Sequence, residues 1–260
     1  VVLIGHPSKQ AGSLNPLFRG RGRRRRVGTP ARRVAPERLG HSGLYPPALL
    51  PGKHPAREVG GDLYDFDWNS EALQLVIGDV SGKSIPAALY GAVFSGQVQM
   101  LFSHSLSPAQ ALAILNKNLL ARYRSGNYIS VAYCRLELRN GSVILANGGM
   151  PSPFVVRGTR IMPLQVSGVP LGLMEGISHE EFRLQLEPGD TLILLTDGVT
   201  DALNPQGDFY DLDRFSDSAA RHSAEGIAEY LASLHSELRM FIGSAELSDD
   251  VTIIGLRRLK

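Results

Sequence analysis

Four acidic positions in this chain share one local design. Asp62 lies in Val59-Gly60-Gly61-Asp62-Leu63-Tyr64-Asp65-Phe66. Asp79 closes an apolar run in Gly78-Asp79-Val80-Ser81-Gly82-Lys83, and Asp197 closes another in Leu194-Leu195-Thr196-Asp197-Gly198. Asp249 and Asp250 open a third in Ser248-Asp249-Asp250-Val251-Thr252. An ionised carboxylate at the edge of a buried strand is costly unless it is paired or bound to a cation. Glycine beside three of the four positions lets backbone or ligand come close. Oxygen donors without a cysteine pair or a paired-histidine motif favour a hard divalent ion, Mg2+ or Mn2+. One such Asp alone reads as a turn former or a cap. Four in one chain demand strand ends that converge.

The elements that must position them follow from the hydrophobic pattern. Ala72–Asp79 reads as a buried strand. Pro86 opens a helix to about Phe102. Ser107-Pro108 caps and starts a second helix, which runs to about Tyr123 with Leu112, Leu115, Leu119 and Leu120 on one face. Strands over 129–138 and 142–146 flank Asn140-Gly141, a hairpin signal. Strands over 153–156, 181–186 and 191–196, a helix over 224–241 and a strand over 251–256 complete the chain. This order lacks strict βαβα alternation. It predicts an α+β fold, largely antiparallel sheet with helices on its faces.

Composition sets further limits. The chain has 260 residues, a net charge of +2 and one cysteine, Cys134. A disulfide framework and a cysteine-based zinc site within one chain are excluded, and a reducing, cytoplasmic location is expected. No transmembrane segment is expected, and Val1–Gly5 is too short for the apolar part of a signal peptide. The small net charge hides a split: residues 1–57 carry +11 and residues 58–260 carry −9. Residues 1–44 hold the Arg23–Arg26 run among Gly, Pro and Ser with no apolar period, so a basic, disordered tail is expected there and a folded domain over 45–260. The basic tail could bind nucleic acid, but no nucleic acid partner is expected. Gly78 to Gly82 imitates a phosphate-binding loop, yet three residues separate the glycines where that loop needs four. Cys134 reads as core, Trp68 as a cover for one edge of the core, and His104 and His179 as surface or helix-end residues rather than ligands.

The Asp62, Asp79, Asp197 and Asp249-Asp250 motifs, in this order, resemble the metal-dependent protein phosphatases (PPM family), in their bacterial SpoIIE/RsbU branch. The resemblance covers about residues 45–258 and implies a sandwich of two mainly antiparallel sheets flanked by helices, with a centre of two Mn2+ or Mg2+ ions. It implies that Asp79 bridges both metals, that the Val80 backbone carbonyl and Asp62 join the set, and that Asp197 and Asp249 are further ligands. Asp250 stands behind these or takes the place of Asp249. The implied activity is hydrolysis of phosphoserine or phosphothreonine on a regulatory protein, commonly an anti-sigma-factor antagonist, by a metal-activated water. An activating partner or a dimer contact is implied on the helices over 86–123. The alternative is a catalytically inactive, phosphatase-shaped module that binds a partner, and the intact set of four sites argues against it. Two departures stand out. Met150 occupies the place of a histidine in Asn147-Gly148-Gly149-Met150, and Asp208-Phe209-Tyr210-Asp211 departs from the usual Gly-x-x-Phe/Tyr-Gly.

Overall fold

The computed structural model describes residues 61–82, 85–122 and 126–259. The expected tail over 1–44, the start of the folded domain, the Val59-Gly60 part of the first motif, Lys83 and Tyr123 lie outside the described residues.

Two sheets form the frame. The first has the order β1 (Asp62–Trp68), β2 (Ala72–Val80), β3 (Ile129–Glu137), β4 (Ser142–Gly148) and β7 (Glu181–Gln185). The second has the order β6 (Arg160–Pro163), β5 (Phe154–Arg157), β8 (Thr191–Leu195) and β9 (Ile253–Arg257). Every pairing is antiparallel. Helices α1 (Ile85–Phe102) and α2 (Pro108–Arg122) follow β2. The short α3 (Asp197–Thr200), then α4 (Asp211–Arg221) and α5 (Ile227–Ile242), separate β8 from β9. The expected architecture, two antiparallel sheets with flanking helices, is the one observed.

Strand alternation explains the layers. On β2, Leu73, Leu75 and Ile77 point between the sheets, where they meet Cys134, Leu145, Val155, Leu192, Leu194 and Ile254. Val76 and Val80 point the other way, under Tyr90, Phe94 and Val98 of α1 and Leu112 and Leu115 of α2. On β8, Ile193 and Leu195 turn from the inter-sheet core toward Phe215, Tyr230 and Leu234 of α4 and α5. β2 and β8 are thus buried on both faces, which is why they read as continuous apolar runs. Each fully buried Leu or Ile contributes roughly 1.5–3 kcal/mol.

Local signals set the ends. At α2 the Ser107 Oγ accepts from the Gln110 N–H at 3.4 Å, and the Gln110 Oε1 accepts from the Ser107 N–H at 3.0 Å. This reciprocal pair is a capping box. Asn140-Gly141 does form a hairpin, and Gly141 takes φ 80 while Asn140 Oδ1 accepts from the Ser142 N–H. Among the described residues, no helix is long and apolar enough to cross a membrane.

Several elements differ from the sequence expectation. β1 and β6 are edge strands of intermediate burial, so no buried run betrays them. α4 (DLDRFSDSAAR) buries only Phe215, Ser218 and Ala219, so a single late helix becomes two, and α5 begins at Ile227 rather than Ala224. His104 is exposed, with Nδ1 3.0 Å from the Met100 carbonyl. His179 is buried instead of superficial, because its Nε2–H donates to the Val169 carbonyl at 2.9 Å and locks the ring under a loop. Trp68 ends β1 about a third exposed and stacks on Phe66 at the sheet edge.

Candidate metal centre

The antiparallel register of β1 and β2 sets Asp62 directly opposite Asp79. β8 delivers Asp197 at its end, and the chain entering β9 delivers Asp249 and Asp250 beside it. The two sheets therefore bring all five sequence-selected carboxylates to one end of the sandwich. Their mutual electrostatics shows it. Burial, followed by Asp62, Asp197, Asp249 and Asp250, pushes the Asp79 carboxyl up to about 7. Burial first and Asp249 next raise Asp197. Burial also dominates at Asp62, where Asp250 and Asp197 add to it and hydrogen bonds from Thr252 and Thr196 oppose it; this carboxyl stands at about 7.

Asp249 and Asp250 separate in role by these relations. Asp249 acts more strongly on Asp79 and Asp197, whereas Asp250 acts more strongly on Asp62 and is more buried. The Asp249 Oδ1 accepts from the Asp250 N–H at 2.9 Å.

Two residues absent from the sequence-derived set complete the site. The Thr196 Oγ1–H donates to Asp62 Oδ2 at 2.8 Å, and the Thr252 Oγ1–H donates to the same oxygen at 2.6 Å. The Thr252 N–H in turn donates to Thr196 Oγ1 at 2.9 Å. Both threonines are fully buried and flank the second sheet, Thr196 directly after β8 and Thr252 directly before β9, so one oxygen of Asp62 is fixed across the gap between the sheets. The signal was present in Thr196-Asp197 and Asp250-Val251-Thr252, but a threonine beside an Asp has no meaning until its partner is known.

Close backbone approach explains two of the glycines. A Cβ at Gly61 would lie 2.5 Å from Asp79 Oδ1 and 2.9 Å from the Val80 carbonyl. A Cβ at Gly198 would lie 1.9 Å from the Asp250 carbonyl. The Val80 N–H donates to the Gly61 carbonyl at 3.1 Å, which aligns the Val80 carbonyl with the carboxylate end.

The donor set fits a hard divalent cation. It consists of oxygens only, its carboxylates repel one another, and Gly61 lets its own backbone approach Asp79 and the Val80 carbonyl. Among the described residues, no group of three or more acidic, histidine or cysteine side chains stands in an arrangement that could hold a metal ion as it is. Burial pushes the Cys134 thiol up to about 12, which removes it as a nucleophile. Met150 is buried in the inter-sheet core, and its backbone is tied on both sides by the Asn147 amide at 2.9 Å. No imidazole is supplied there. In the second departure, Asp211 takes φ 52 where glycine is usual, and its Oδ1 accepts from the Arg214 N–H at 2.9 Å.

The fold is that of PP2C-type phosphatase domains. It superposes on the SiaA-PP2C domain of Pseudomonas aeruginosa with a TM-score of 0.70 at 20% identity, over 76% of this chain and 80% of that one. RsbX, solved in complex with magnesium, aligns with a TM-score of 0.55 at 15% identity, over 76% of this chain and 86% of that one. The sequence pattern of stage II sporulation protein E (SpoIIE) matches residues 69–259, and the chain belongs to that family. It is 27% identical over 206 residues to the phosphoserine phosphatase RsbU of Bacillus subtilis (strain 168), covering 78% of this chain and 61% of RsbU. The chain thus spans about three fifths of the length of that relative.

Proposed function

We propose that the chain is a metal-dependent phosphatase that hydrolyses phosphoserine or phosphothreonine on a regulatory protein, of the anti-sigma-factor-antagonist kind. One observation carries this reading: five carboxylates from four separate strand ends converge, and burial, with their mutual repulsion, disfavours the ionised forms of Asp62, Asp79 and Asp197. Membership of a family that includes phosphoserine phosphatases supports it. Asp79, the Val80 carbonyl, Asp62, Asp197 and Asp249 would hold two Mn2+ or Mg2+ ions, with Asp250 behind them. When bound, such ions supply an activated water and neutralise charge on the phosphoryl oxygens.

The remaining tasks fall to the chain. Thr196 and Thr252 hold one Asp62 oxygen and so orient the other. Gly61 and Gly198 keep backbone and carboxylates close. Asp79 sits where four neighbouring carboxylates favour its binding of positive charge.

Control through α1 belongs to the same reading. This helix carries no charged residue, and it exposes Leu89, Val93 and Met100. Its inner face touches the site's supports. The Ser95 Oγ–H donates to Asp65 Oδ2 on β1 at 3.0 Å, and a Cβ at Gly91 would lie 3.3 Å from Val80 Cγ2. A partner or second copy bound on residues 86–123 would act on β1 and β2 directly, and so on the spacing of Asp62, Asp79 and the Val80 carbonyl.

The test is hydrolysis of p-nitrophenyl phosphate by the full chain, with Mn2+ or Mg2+ titrated against a chelator, beside calorimetric measurement of metal binding. Metal-dependent turnover with saturable binding is expected. Full turnover in excess chelator would overturn the reading.

A further inference from the structure

The connection from β6 to β7, residues 164–180, exceeds the usual limit of about 12–15 residues for a loop without its own secondary structure. Such loops in compact domains are commonly functional. This one is fixed in place. The Leu171 N–H and carbonyl both pair with Ile129, each at 2.9 Å, so the loop lies along the end of β3. Asn116 reaches from α2, where it is buried. Its Oδ1 accepts from the Gly172 N–H at 2.8 Å, and its Nδ2–H donates to the Met174 carbonyl at 3.1 Å. Gly172 has φ 89, and a Cβ there would lie 3.2 Å from both the Asn127 carbonyl and the Tyr90 hydroxyl.

On this fixed frame large apolar side chains face water: Tyr128 is 39% exposed, Leu173 49% and Met174 58%. Isolated apolar residues at a surface need no explanation, but several brought together on a pinned segment point to an interaction site. Leu173 and Met174 follow Gly172, whose backbone lies beside that of Tyr128: a Cβ at Gly172 would lie 3.7 Å from the Tyr128 Cα.

Their position relative to the carboxylates is set by hydrogen bonds. The Ser81 N–H donates to the Tyr128 carbonyl at 2.9 Å, and the Tyr128 N–H donates to Ser81 Oγ at 2.8 Å. Ser81 follows directly on Asp79 and Val80. Across the sheet, Asp62 faces Asp79 and Asp79 faces Ser130, with the 171–174 segment beyond. At about 4.8 Å per strand, Leu173 and Met174 stand about 10–15 Å from Asp79. An extended peptide covers that span in roughly three to five residues. Residues 126–131 and 164–174 contain no charged side chain, in a region whose net charge is −9 over 58–260. A basic peptide would be drawn to the carboxylates and an acidic one repelled; this surface suits neither.

We propose that Tyr128, Leu173 and Met174 are the docking surface for the phosphoprotein substrate, and that they take an uncharged apolar side chain about three to five residues from the phosphoserine. The proposal rests on the phosphatase reading above. It makes the loop a determinant of substrate choice and leaves phosphoester cleavage to the carboxylate end.

The experiment uses the full chain, its Leu173→Ser/Met174→Ser double variant, and Met240→Ser on the exposed face of α5 as a control. The probes are two phosphoserine peptides that differ only in carrying Leu or uncharged Gln at the third to fifth positions on both sides. p-Nitrophenyl phosphate is the small substrate. The expected result is a preference of about tenfold or more in kcat/KM for the Leu peptide, reduced to within about twofold in the double variant and kept in the control. Turnover of p-nitrophenyl phosphate and the urea midpoint should be the same in all three proteins. An unselective parent, or a double variant that keeps the preference, overturns the proposal. So does an equal loss on p-nitrophenyl phosphate, which would make the loop a support of the carboxylate end. So does a shift from dimer to monomer with the preference intact, which would make the patch a contact between copies. If the parent hydrolyses nothing, the phosphatase reading fails on its own. Fluorescence anisotropy then decides the surface: tighter binding of the Leu peptide that is lost in the double variant sustains it, and equal binding of both peptides overturns it.

Discussion

β8 carries an aspartate just outside each end, and the two have opposite surroundings. Asp190 precedes the strand and is 2% exposed. The Arg157 guanidinium grips both of its oxygens, with Nε–H donating at 3.0 and 3.2 Å and Nη2–H at 2.7 Å, and the Glu187 N–H adds a further bond at 2.7 Å. Asp197 follows the strand, and burial first and then neighbouring carboxylates disfavour its ionised form. A buried carboxylate that is fully paired is part of the frame. A group of buried carboxylates that repel one another stores unfavourable energy that a bound ion would release. That difference, more than the number of acidic residues, separates the candidate site from the structural end.

The largest effect that can break this comparison is on turnover. Asp79→Asn and Asp197→Asn should each lower metal-dependent hydrolysis of p-nitrophenyl phosphate by about 100-fold or more, while the metal-free proteins melt no lower than the parent. Thermal melting in chelator beside the rate assay checks both halves. Lower melting would mean that these carboxylates stabilise the frame as Asp190 does.

The opposite end should respond in the opposite sense. Asp190→Ala leaves Arg157 without its main partner and the Glu187 N–H without an acceptor. We expect a loss of about 2 kcal/mol, below the value for a fully buried pair because Arg157 is partly in water. The rate per folded molecule should stay within about twofold of the parent. Urea unfolding and active-site-normalised rates decide it.

A third prediction uses pH. Asp62 and Asp79 titrate near 7 in the fold and near 3.8 as isolated groups. Between those values the folded chain binds more protons than the unfolded one, so stability falls as pH rises from about 4 to about 7. Urea midpoints at pH 5 and 7.5 in chelator should show the decline, and saturating Mn2+ should flatten it by taking the protons' place. A metal-free midpoint that rises over this range would contradict the proposed charge cluster.

Smaller effects sharpen the picture. Thr252→Val removes one of the two hydroxyls that hold Asp62, and should weaken metal binding and turnover by about tenfold. Calorimetry should show the change in affinity, with the urea midpoint nearly unmoved. Asp211→Gly should change stability by less than about 1 kcal/mol, because relief of the left-handed backbone offsets the lost cap to Arg214. A larger shift in the urea midpoint, in either direction, would show that one of these terms dominates.

The sequence by itself determined the layers and the choice of acidic residues. β2 and β8 are doubly buried, so their apolar runs are unbroken, and each ends at a glycine-flanked Asp that local reasoning can single out. The amphipathic cap at Ser107 and the Asn140-Gly141 turn are also local, and both appear where they were read. β1 and α4 escaped because an edge strand and a short, charged helix bury too little to impose a clear period. Only the tertiary structure decided the rest. Thr196 and Thr252 acquire a role through one oxygen of a residue 134 and 190 positions away in the chain. The ordering of Asp249 and Asp250 around Asp79 and Asp62 depends on how the second sheet meets the first. His179 is buried because the 164–180 loop folds back over it. In each case the deciding contact joins segments far apart in sequence, and no local spacing can encode which distant oxygen, carbonyl or loop a side chain will meet.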